Sequence, residues 1–311
     1  MIISYDISEL IPYINWPYFF FAWQVKEPSE KNRLRQEAEA FLQQLEGKYH
    51  AYGLFELFDA YSDGDDIVVY RGMWCSAEGH LLLTGRKKVA LGRRTLATNG
   101  TQEGERRLPQ DQRIPCLRQQ QGNPPYLCLS DFLPPLCNHK VQSLKFKAQS
   151  SKLALFATSV SHGLEADFDS DPYQKMMAQL LADRLAEAAA ERMHEQVRKE
   201  FWGYAKDENL SIPDMLVEKF QGIRPAVGYP SLPDTSLNFV LDDLIDMKQI
   251  GIRLTESGAM KPHASVSGLM LAHPQAHYFS IGKIGEDQLH DYAHRRGLPL
   301  ELCRKFLAGN L

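Results

Sequence analysis

Several common catalytic signatures are missing from this chain of 311 residues. No GxGxxG motif follows a strand pattern and no GxxxxGK[ST] loop occurs, which excludes the usual dinucleotide and nucleotide-phosphate sites. HExxH and GxSxG are also missing, which excludes the zinc-protease helix and the nucleophile elbow of α/β-hydrolases. The sequence therefore predicts neither a self-contained hydrolase nor a dehydrogenase.

Histidines and cysteines are present, but their spacing does not predict a metal site. Of the 10 histidines, two pairs stand four residues apart: His273 with His277, and His290 with His294. Pro274 interrupts the first pair and the second has no third ligand, so surface histidines are favoured over zinc ligands. The 5 cysteines form no CxxC motif. An odd number of scattered cysteines is typical of reduced thiols, and we expect a cytoplasmic protein.

Excess charge of one sign and long apolar runs are also lacking. The formal net charge is -4, with 44% hydrophobic and 24% charged residues, as in an ordinary globular protein. Such a balance provides no domain-wide basic surface for nucleic acid. The N-terminal part has neither a basic leader nor an apolar run of membrane-spanning length. We therefore expect binding to neither nucleic acid nor membranes.

One segment, at about 71–115, departs from this even charge distribution. Two interpretations remain open: a docking surface for an acidic partner, or a solvated hairpin or insertion, which is the commoner role of a charge run. Between positions 86 and 113 it carries eight basic residues: Arg86, Lys87, Lys88, Arg93, Arg94, Arg106, Arg107 and Arg113.

Hydrophobic periodicity predicts an α+β fold, in which helices flank an antiparallel sheet. Helices are predicted over about 30–48, 171–199, 238–247 and 286–296. Strands are predicted after the turn at Asp65 and Asp66 and over 251–257, 265–271 and 278–284. The aromatic run at 16–23 contains Pro17 and is interpreted as a buried strand or turn. Because no repeat or linker divides the chain, we expect one domain over 1–311.

The helix predicted over 171–199 carries two carboxylates close to its apolar face. A helical wheel places Glu187 among apolar positions and Asp183 at their edge, one turn earlier. A carboxylate there is costly unless it is paired or solvated. Glu187 is therefore either ion-paired with Arg184 or exposed to a ligand cleft. The apolar arc has Met177, Leu181, Leu185 and Ala188 at its centre and Met176 and Leu180 on one flank.

The segment 222–230, which reads GIRPAVGYP, predicts a rigid and irregular backbone path. Two prolines have a fixed φ, while Gly228 is free to adopt a positive φ. Arg224 and Tyr229 project from this path. Taken alone, Arg224 is more often a salt-bridge partner. A stiff backbone that presents a cation and a phenol also favours a site for an anion-bearing ligand.

Six blocks occur in order from position 171 to the end: FWGYAKDE, GIRPAVGYP, LTESGAM, SVSG, HPQAHYF and DQLHDYAHRRG. They resemble, at compatible spacing, the activation domain of cobalamin-dependent methionine synthase. YINWPYFFFAW, GDDIVVY, CLRQQ and CLSDF extend the resemblance upstream. The resemblance implies a C-shaped domain with a bent antiparallel sheet. It also implies an activity: S-adenosylmethionine remethylates oxidised cobalamin while a reductant such as flavodoxin supplies an electron.

The resemblance also implies roles for particular residues. The S-adenosylmethionine carboxylate would meet Arg224 in charge-assisted hydrogen bonds. Its cationic groups would meet Glu187 and the aromatic rings. Tyr229 would face the corrin, and Asp183 would meet the cobalt-ligating histidine once that histidine is released. The implied ligand-binding residues are Arg224, Ala226, Gly228, Tyr278, Phe279, Glu187 and Asn15. Without the resemblance, Tyr278 and Phe279 would be interpreted as ordinary strand residues.

Two departures from the family pattern concern this site. Asn15 stands where the family has an aspartate, and SLPDTSLN follows Pro230 where the family has ACPDHTEK. A neutral amide keeps an acceptor but loses the charge, which is expected to weaken binding of a cationic ligand by about 1–2 kcal/mol.

The chain contains no DxHxxG motif to ligate cobalt and no homocysteine or folate barrel. We therefore expect cobalamin to be bound by a partner, a separate methionine synthase chain, and reduced by a flavodoxin-like protein. Two alternatives remain: a non-catalytic module that caps the cobalamin domain, which Asn15 favours, and reactivation of another corrinoid methyltransferase.

Overall fold

The computed structural model describes residues 1–70, 74–75, 81–82, 112–135, 151–164 and 166–311. In these residues a curled antiparallel sheet is flanked by helices, which confirms the predicted α+β fold. Its strands are β1 (Ile2–Asp6), β2 (His50–Asp63), β3 (Asp66–Tyr70), β6 (Gln112–Pro115), β7 (Lys152–Val160) and β10 (Ser265–Met270). They pair in the order β10-β7-β2-β3-β6, and β1 also pairs with β2. Two short ladders pair β4 (Trp74–Cys75) with β5 (Leu81–Leu82) and β8 (Arg253–Leu254) with β9 (Met260–Lys261).

The helices lie on both sides of this sheet. They are α1 (Ile7–Leu10), α2 (Trp16–Ala22), α3 (Pro28–Leu45), α4 (Pro172–Gln196), α5 (Ile212–Leu216), α6 (Leu237–Ile245), α7 (Glu286–Arg296) and α8 (Leu300–Phe306). The longest, α4, begins where the side chain of Asp171 accepts the backbone N–H groups of Tyr173 and Gln174, at 2.9 and 3.3 Å. Pro172 takes the first helical position, where no amide donor is required.

The long strand β2 separates two hydrophobic cores. Ala51 and Phe55 belong to the core under α3 and α4, whereas Leu54 and Phe58 belong to the core under α6. Successive side chains of a strand point to opposite faces, so β2 contributes to both. Both faces of β2 therefore pack against a hydrophobic core.

The structure confirms some predicted elements and corrects others. The predicted helices near 30–48, 171–199, 238–247 and 286–296 correspond to α3, α4, α6 and α7. The prediction for 16–23 was wrong: this segment forms α2, and Pro17 lies in its first turn, where a missing N–H is tolerated. The prediction for 278–284 was also wrong, because this stretch is an irregular loop. Of 251–257, only Arg253–Leu254 forms a strand.

In α4, the residues predicted at the centre of the apolar arc are buried, but one residue predicted at its flank is exposed. Met177, Leu181 and Leu185 are fully buried, whereas Met176 is 41% exposed. Met176 lies in the second turn of α4, near its N-terminal end. The other arc residue, Ala188, is buried as well.

Most of the basic segment lies outside the described residues. The part that is described includes Arg113, which lies on β6 and pairs with Asp63 at 2.6 Å and with Asp66 at 3.1 Å. Within the described ranges, no helix has the length and apolar character needed to cross a membrane. Nor do those ranges contain a group of three or more His, Cys, Asp or Glu side chains that could hold a metal ion.

Candidate functional site

The GIRPAVGYP segment runs antiparallel to β10 and extends its edge. The backbone N–H of Leu269 donates to the carbonyl of Pro225 at 3.0 Å, and that of Val227 donates to the carbonyl of Ser267 at 2.9 Å. Pro225 can occupy such a position because it only needs to accept a hydrogen bond there. The segment is thus held by the sheet at every second residue.

Gly268 on β10 allows this close approach. A Cβ atom at Gly268 would lie 2.2 Å from the carbonyl oxygen of Pro225 and 2.8 Å from the Cα of Ala226. Further along, Gly228 has φ +90° and begins the turn in which its N–H donates to the carbonyl of Leu232 at 2.8 Å. Positive φ at this position suits glycine, as the sequence predicted.

A cavity of about 620 Å³ lies between this segment, α2, α4 and the loop at 278–280. It brings together most of the predicted ligand-binding residues from distant parts of the chain. Gly228 and Asp183 do not line it: Gly228 shapes the neighbouring turn, and Asp183 lines an adjoining cavity of about 210 Å³. The predicted residues in its wall are Asn15, Glu187, Arg224, Ala226, Tyr229, Tyr278 and Phe279.

Arg224 is ion-paired and also lines the cavity. Its Nη2 donates to the Oε1 of Glu191, and the two side chains are only 11% and 21% exposed. Its Nε is buried and makes no hydrogen bond to any described residue. The two interpretations of Arg224, salt-bridge partner and ligand contact, therefore apply to the same side chain, which retains donor capacity beside the cavity.

Glu187, like Arg224, interacts with neighbouring side chains and also lines the cavity. The hydroxyl of Tyr229 donates to its Oε1 at 3.0 Å, and the Nη2 of Arg184 lies 3.6 Å from that oxygen. The carboxylate is 37% exposed and belongs to the cavity wall. Burial, reinforced by the adjacent Glu187 carboxylate, raises the pKa of Tyr229 to about 12. Tyr229 is therefore a neutral phenol at pH 7, and its residue surface is 51% exposed.

Tyr278 and Phe279 come from the irregular loop that closes the cavity. The backbone N–H of Arg224 donates to the hydroxyl oxygen of Tyr278 at 2.9 Å, which leaves the hydroxyl proton available as a donor. Burial raises the pKa of Tyr278, so this proton is retained at neutral pH. Phe279 packs against Phe132 with ring centroids 6.3 Å apart, which anchors the loop to the core under α6.

The two remaining predicted residues lie at the rim of the site. Asn15 directly precedes α2 but makes no capping hydrogen bond, and its side chain lines the cavity. Asp183 is 34% exposed, and its Oδ1 lies 3.8 Å from the Nδ1 of His263. Both cavities include Arg184, Glu187 and Tyr229, so Asp183 lies beside the phenol that was predicted to face a corrin.

Sequence reasoning missed two carboxylates in the wall of the larger cavity, Glu191 and Glu218. Glu191 lies one helical turn beyond Glu187, so the i, i+4 spacing from Glu187 could have indicated it. Glu218 follows the short helix α5 and had no recognisable signal. Its position depends on how the chain folds after α5, where it adopts a φ of +61°.

Comparison with known proteins agrees with this description of the fold. Residues 6–297 match the family model for the activation domain of vitamin B12 dependent methionine synthase. A crystal structure of the MetH reactivation domain bound to AdoHcy is 32% identical in sequence and superposes with a TM-score of 0.78. The alignment covers 100% of this chain and 90% of that one. All residues of the cavity wall fall within the range that the family model matches.

Proposed function

Since this chain belongs to the family of activation domains of vitamin B12-dependent methionine synthase, we propose that it binds S-adenosylmethionine beside Arg224 and supports reductive remethylation of oxidised cobalamin. The observation that carries the proposal is the cavity of about 620 Å³ that joins a cation, carboxylates and aromatic rings. The related MetH domain was crystallised with AdoHcy, which lacks only the transferable methyl group and its charge.

Each part of the ligand has a complementary group in the wall. The buried guanidinium of Arg224 suits the carboxylate, because charge-assisted bonds are strongest away from water. Glu187 and the Tyr278 and Phe279 rings suit the sulfonium and ammonium groups. The main chain at Ala226 and the turn at Gly228 leave room for the nucleoside. Asn15 contributes a neutral acceptor to the same wall.

Two residues that line the adjoining cavity of about 210 Å³, Tyr229 and Asp183, suit a docked corrin. Bound cobalamin would supply the metal that accepts the methyl group. The ring of Tyr229 is exposed where the two cavities meet, which suits a residue that packs against a flat macrocycle. Asp183 lies on the same side and provides a hydrogen-bond acceptor for an imidazole. In this proposal Tyr229 positions the macrocycle and Asp183 holds the released histidine.

Cobalamin and the electron come from other proteins in this proposal. The matching family model describes an activation domain, and we propose that a separate cobalamin-binding methionine synthase chain carries the cobalamin and that a flavodoxin-like protein reduces it in the cytoplasm. The whole of 1–311 then acts as one activation domain.

The test is calorimetric titration of S-adenosylmethionine into the purified chain and into Arg224→Ala. We expect saturable binding to the native chain and none to the variant, with unchanged far-UV circular dichroism. The native chain is then added to a cobalamin-loaded methionine synthase and a reductant, and formation of methylated cobalamin is followed by absorbance. A folded chain that binds no S-adenosylmethionine, with or without the partner, would contradict the proposal.

A second candidate function is a non-catalytic module that caps the partner's cobalamin domain. The observation that favours it is Asn15, because the negative charge expected at this rim position is replaced by an amide. Stable association with the partner in the absence of any S-adenosylmethionine binding would support this second function over the first.

A further inference from the structure

We propose that Gln119 is a positioning residue of the binding site, which holds the loop at 278–280 in place through the carbonyl of Ser280. The inference rests on the proposed function, because this loop closes the cavity in which S-adenosylmethionine is proposed to bind. Gln119 belongs to the sequence block CLRQQ, which contributed to the family resemblance but received no role. Since Gln119 lies outside the cavity wall, its effect on a ligand must pass through the loop.

The side-chain amide of Gln119 uses both of its ends. Its Nε2 donates to the carbonyl of Ser280 at 2.8 Å, and its Oε1 accepts the backbone N–H of Leu127 at 3.0 Å. A glutamine amide carries its donors on the nitrogen and its acceptor on the oxygen. Reversing the amide would place donor against donor and acceptor against acceptor. The two bonds therefore fix its orientation, with the donor directed at the loop.

The backbone that carries Gln119 is itself held on two sides. The N–H of Gln119 donates to the carbonyl of Leu127 at 3.0 Å, and Arg118 forms an isolated antiparallel bridge with Cys128. From the other side, the Nε2 of Gln288 on α7 donates to the carbonyl of Arg118 at 2.8 Å. Gln119 thus projects from a fixed support that follows β6 in the chain.

The far side of the loop is tied to the GIRPAVGYP segment. The backbone N–H of Ile281 donates to the carbonyl of Pro230 at 2.9 Å. This segment lies beside β10, whereas Gln119 follows β6, and these two strands stand at opposite ends of the strand order. The loop is therefore held between the two edges of the sheet, and Gln119 provides a hydrogen bond from the β6 edge.

The position of this loop determines the shape of the cavity. Tyr278, Phe279 and Ser280 all belong to the cavity wall. The stretch 278–284 pairs with no strand in the described ranges, so individual hydrogen bonds and packing contacts hold it. The apparent affinity of a site falls with the fraction of molecules in which that site is correctly formed. Loss of the Gln119 bond should therefore weaken ligand binding although no contact to the ligand is removed.

The test uses Gln119→Glu, which keeps the acceptor for Leu127 but replaces the donor to Ser280 with an oxygen. Two acceptor oxygens repel each other, so the loop should move away from residue 119. We expect S-adenosylmethionine to bind about fivefold more weakly by calorimetric titration, as for the loss of one ordinary hydrogen bond. Without ligand, amide hydrogen exchange at Ile281 should become faster, because its bond to Pro230 depends on the loop.

Gln120→Glu is the matched control. It adds the same charge one position away, and the Nε2 of Gln120 donates to the carbonyl of Arg118 at 3.3 Å, not to the loop. An added negative charge attracts a cationic ligand, so a charge effect alone would strengthen binding in both variants. Gln119→Met, which removes the donor without adding charge, should weaken binding as Gln119→Glu does. Urea denaturation confirms that each variant is folded under the conditions of the titration.

Native affinity in Gln119→Glu would overturn the inference, as would unchanged exchange at Ile281 or equal weakening in Gln120→Glu. In each of these cases the native chain still binds S-adenosylmethionine, so the proposed function stands. A folded native chain that binds no S-adenosylmethionine would overturn both.

Discussion

Arg224 and Glu191 form an ion pair in the wall of the cavity, at the point where the carboxylate of a ligand is expected to bind. The pair joins α4 to the segment that runs beside β10. Its guanidinium is 11% exposed and keeps one buried donor unused. In the proposed function, a ligand carboxylate would therefore meet a cation that is already oriented.

Glu191→Gln should destabilise the folded chain by about 2–3 kcal/mol. The substitution leaves the charge of Arg224 in a mostly buried position without its counter-charge, which is costly. Urea denaturation followed by circular dichroism measures the change. The matched control is Glu39→Gln, because the exposed pair Arg35–Glu39 should contribute less than about 0.5 kcal/mol. Equal losses in the two variants would contradict the structural importance of the Arg224 pair.

Gly268→Ala should weaken both stability and ligand binding. The added methyl group cannot fit 2.2 Å from the carbonyl of Pro225, so the segment that carries Arg224 must move away from β10. We expect a loss of about 2 kcal/mol in the free energy of unfolding. Gly309→Ala is the control, since a Cβ atom there meets nothing within 4 Å. Full ligand affinity in Gly268→Ala would show that the position of this segment does not matter.

Asn15→Asp should strengthen the binding of S-adenosylmethionine by about tenfold. The change restores a negative charge at the rim of the cavity, and a hydrogen bond gains about 1–2 kcal/mol when one partner is charged. S-adenosylhomocysteine, whose sulfur is neutral, should gain less. Paired titrations of both ligands into both proteins measure the difference. An equal gain for the two ligands would exclude a contact between residue 15 and the sulfonium.

Tyr229→Ala should separate ligand binding from methyl transfer. The ring of Tyr229 is half exposed, so its removal should change the free energy of unfolding by less than about 0.5 kcal/mol. If the ring positions the corrin, the rate of cobalamin methylation should fall by about tenfold or more. Tyr229→Phe, which keeps the ring and loses only the hydrogen bond to Glu187, should retain most of the rate. Equal rates for Tyr229→Ala and the native chain would remove Tyr229 from the mechanism.

His194 should make the stability of the chain depend on pH below neutrality. Burial, with help from the charges of Arg198 and Arg224, lowers the pKa of His194 well below its usual value. In the unfolded chain its pKa is about 6.5. As the pH falls below that value, the unfolded state takes up a proton that the folded state does not. The free energy of unfolding must therefore decrease as the pH falls.

The slope can be assigned to His194 by comparison with His194→Gln, which keeps a hydrogen-bonding group near the hydroxyl of Tyr204. Urea denaturation at several values between about pH 7 and 5 should give a shallower slope for the variant, by up to about 1.4 kcal/mol per pH unit. Identical slopes would show that His194 is protonated equally in both states.

The sequence predicted those parts of the fold in which one pattern dominates. Helix α4 combines a capping aspartate, a proline at the first position and apolar spacing, and these signals agree with each other. The run at 16–23 was misread because aromatic residues favour strands, yet Trp16, Phe19 and Trp23 share one face of a helix. The loop at 278–284 pairs with no strand among the described residues, so alternation of side chains did not produce a strand there.

The site could be predicted as far as its residues belong to recognisable blocks. The geometry brought together the predicted residues Asn15, Arg224 and Tyr278, which are far apart in sequence. The structure also places Glu191 in the cavity wall. This residue was not predicted, because a carboxylate on a long helix is usually solvated. Glu218 could not be predicted, because its place in the wall depends on a backbone conformation that no local motif specifies.

The wall of the larger cavity takes its residues from positions as far apart as Asn15 and Ser280. The site therefore exists only when the N-terminal helices, α4 and the C-terminal loop are assembled together, and neither half of the chain can form it. By linkage, a ligand that binds only the assembled state raises the free energy of unfolding of the entire chain, by about 2.7 kcal/mol at a hundred times its dissociation constant. A ligand of this cavity would therefore stabilise the N-terminal helices and the C-terminal loop together.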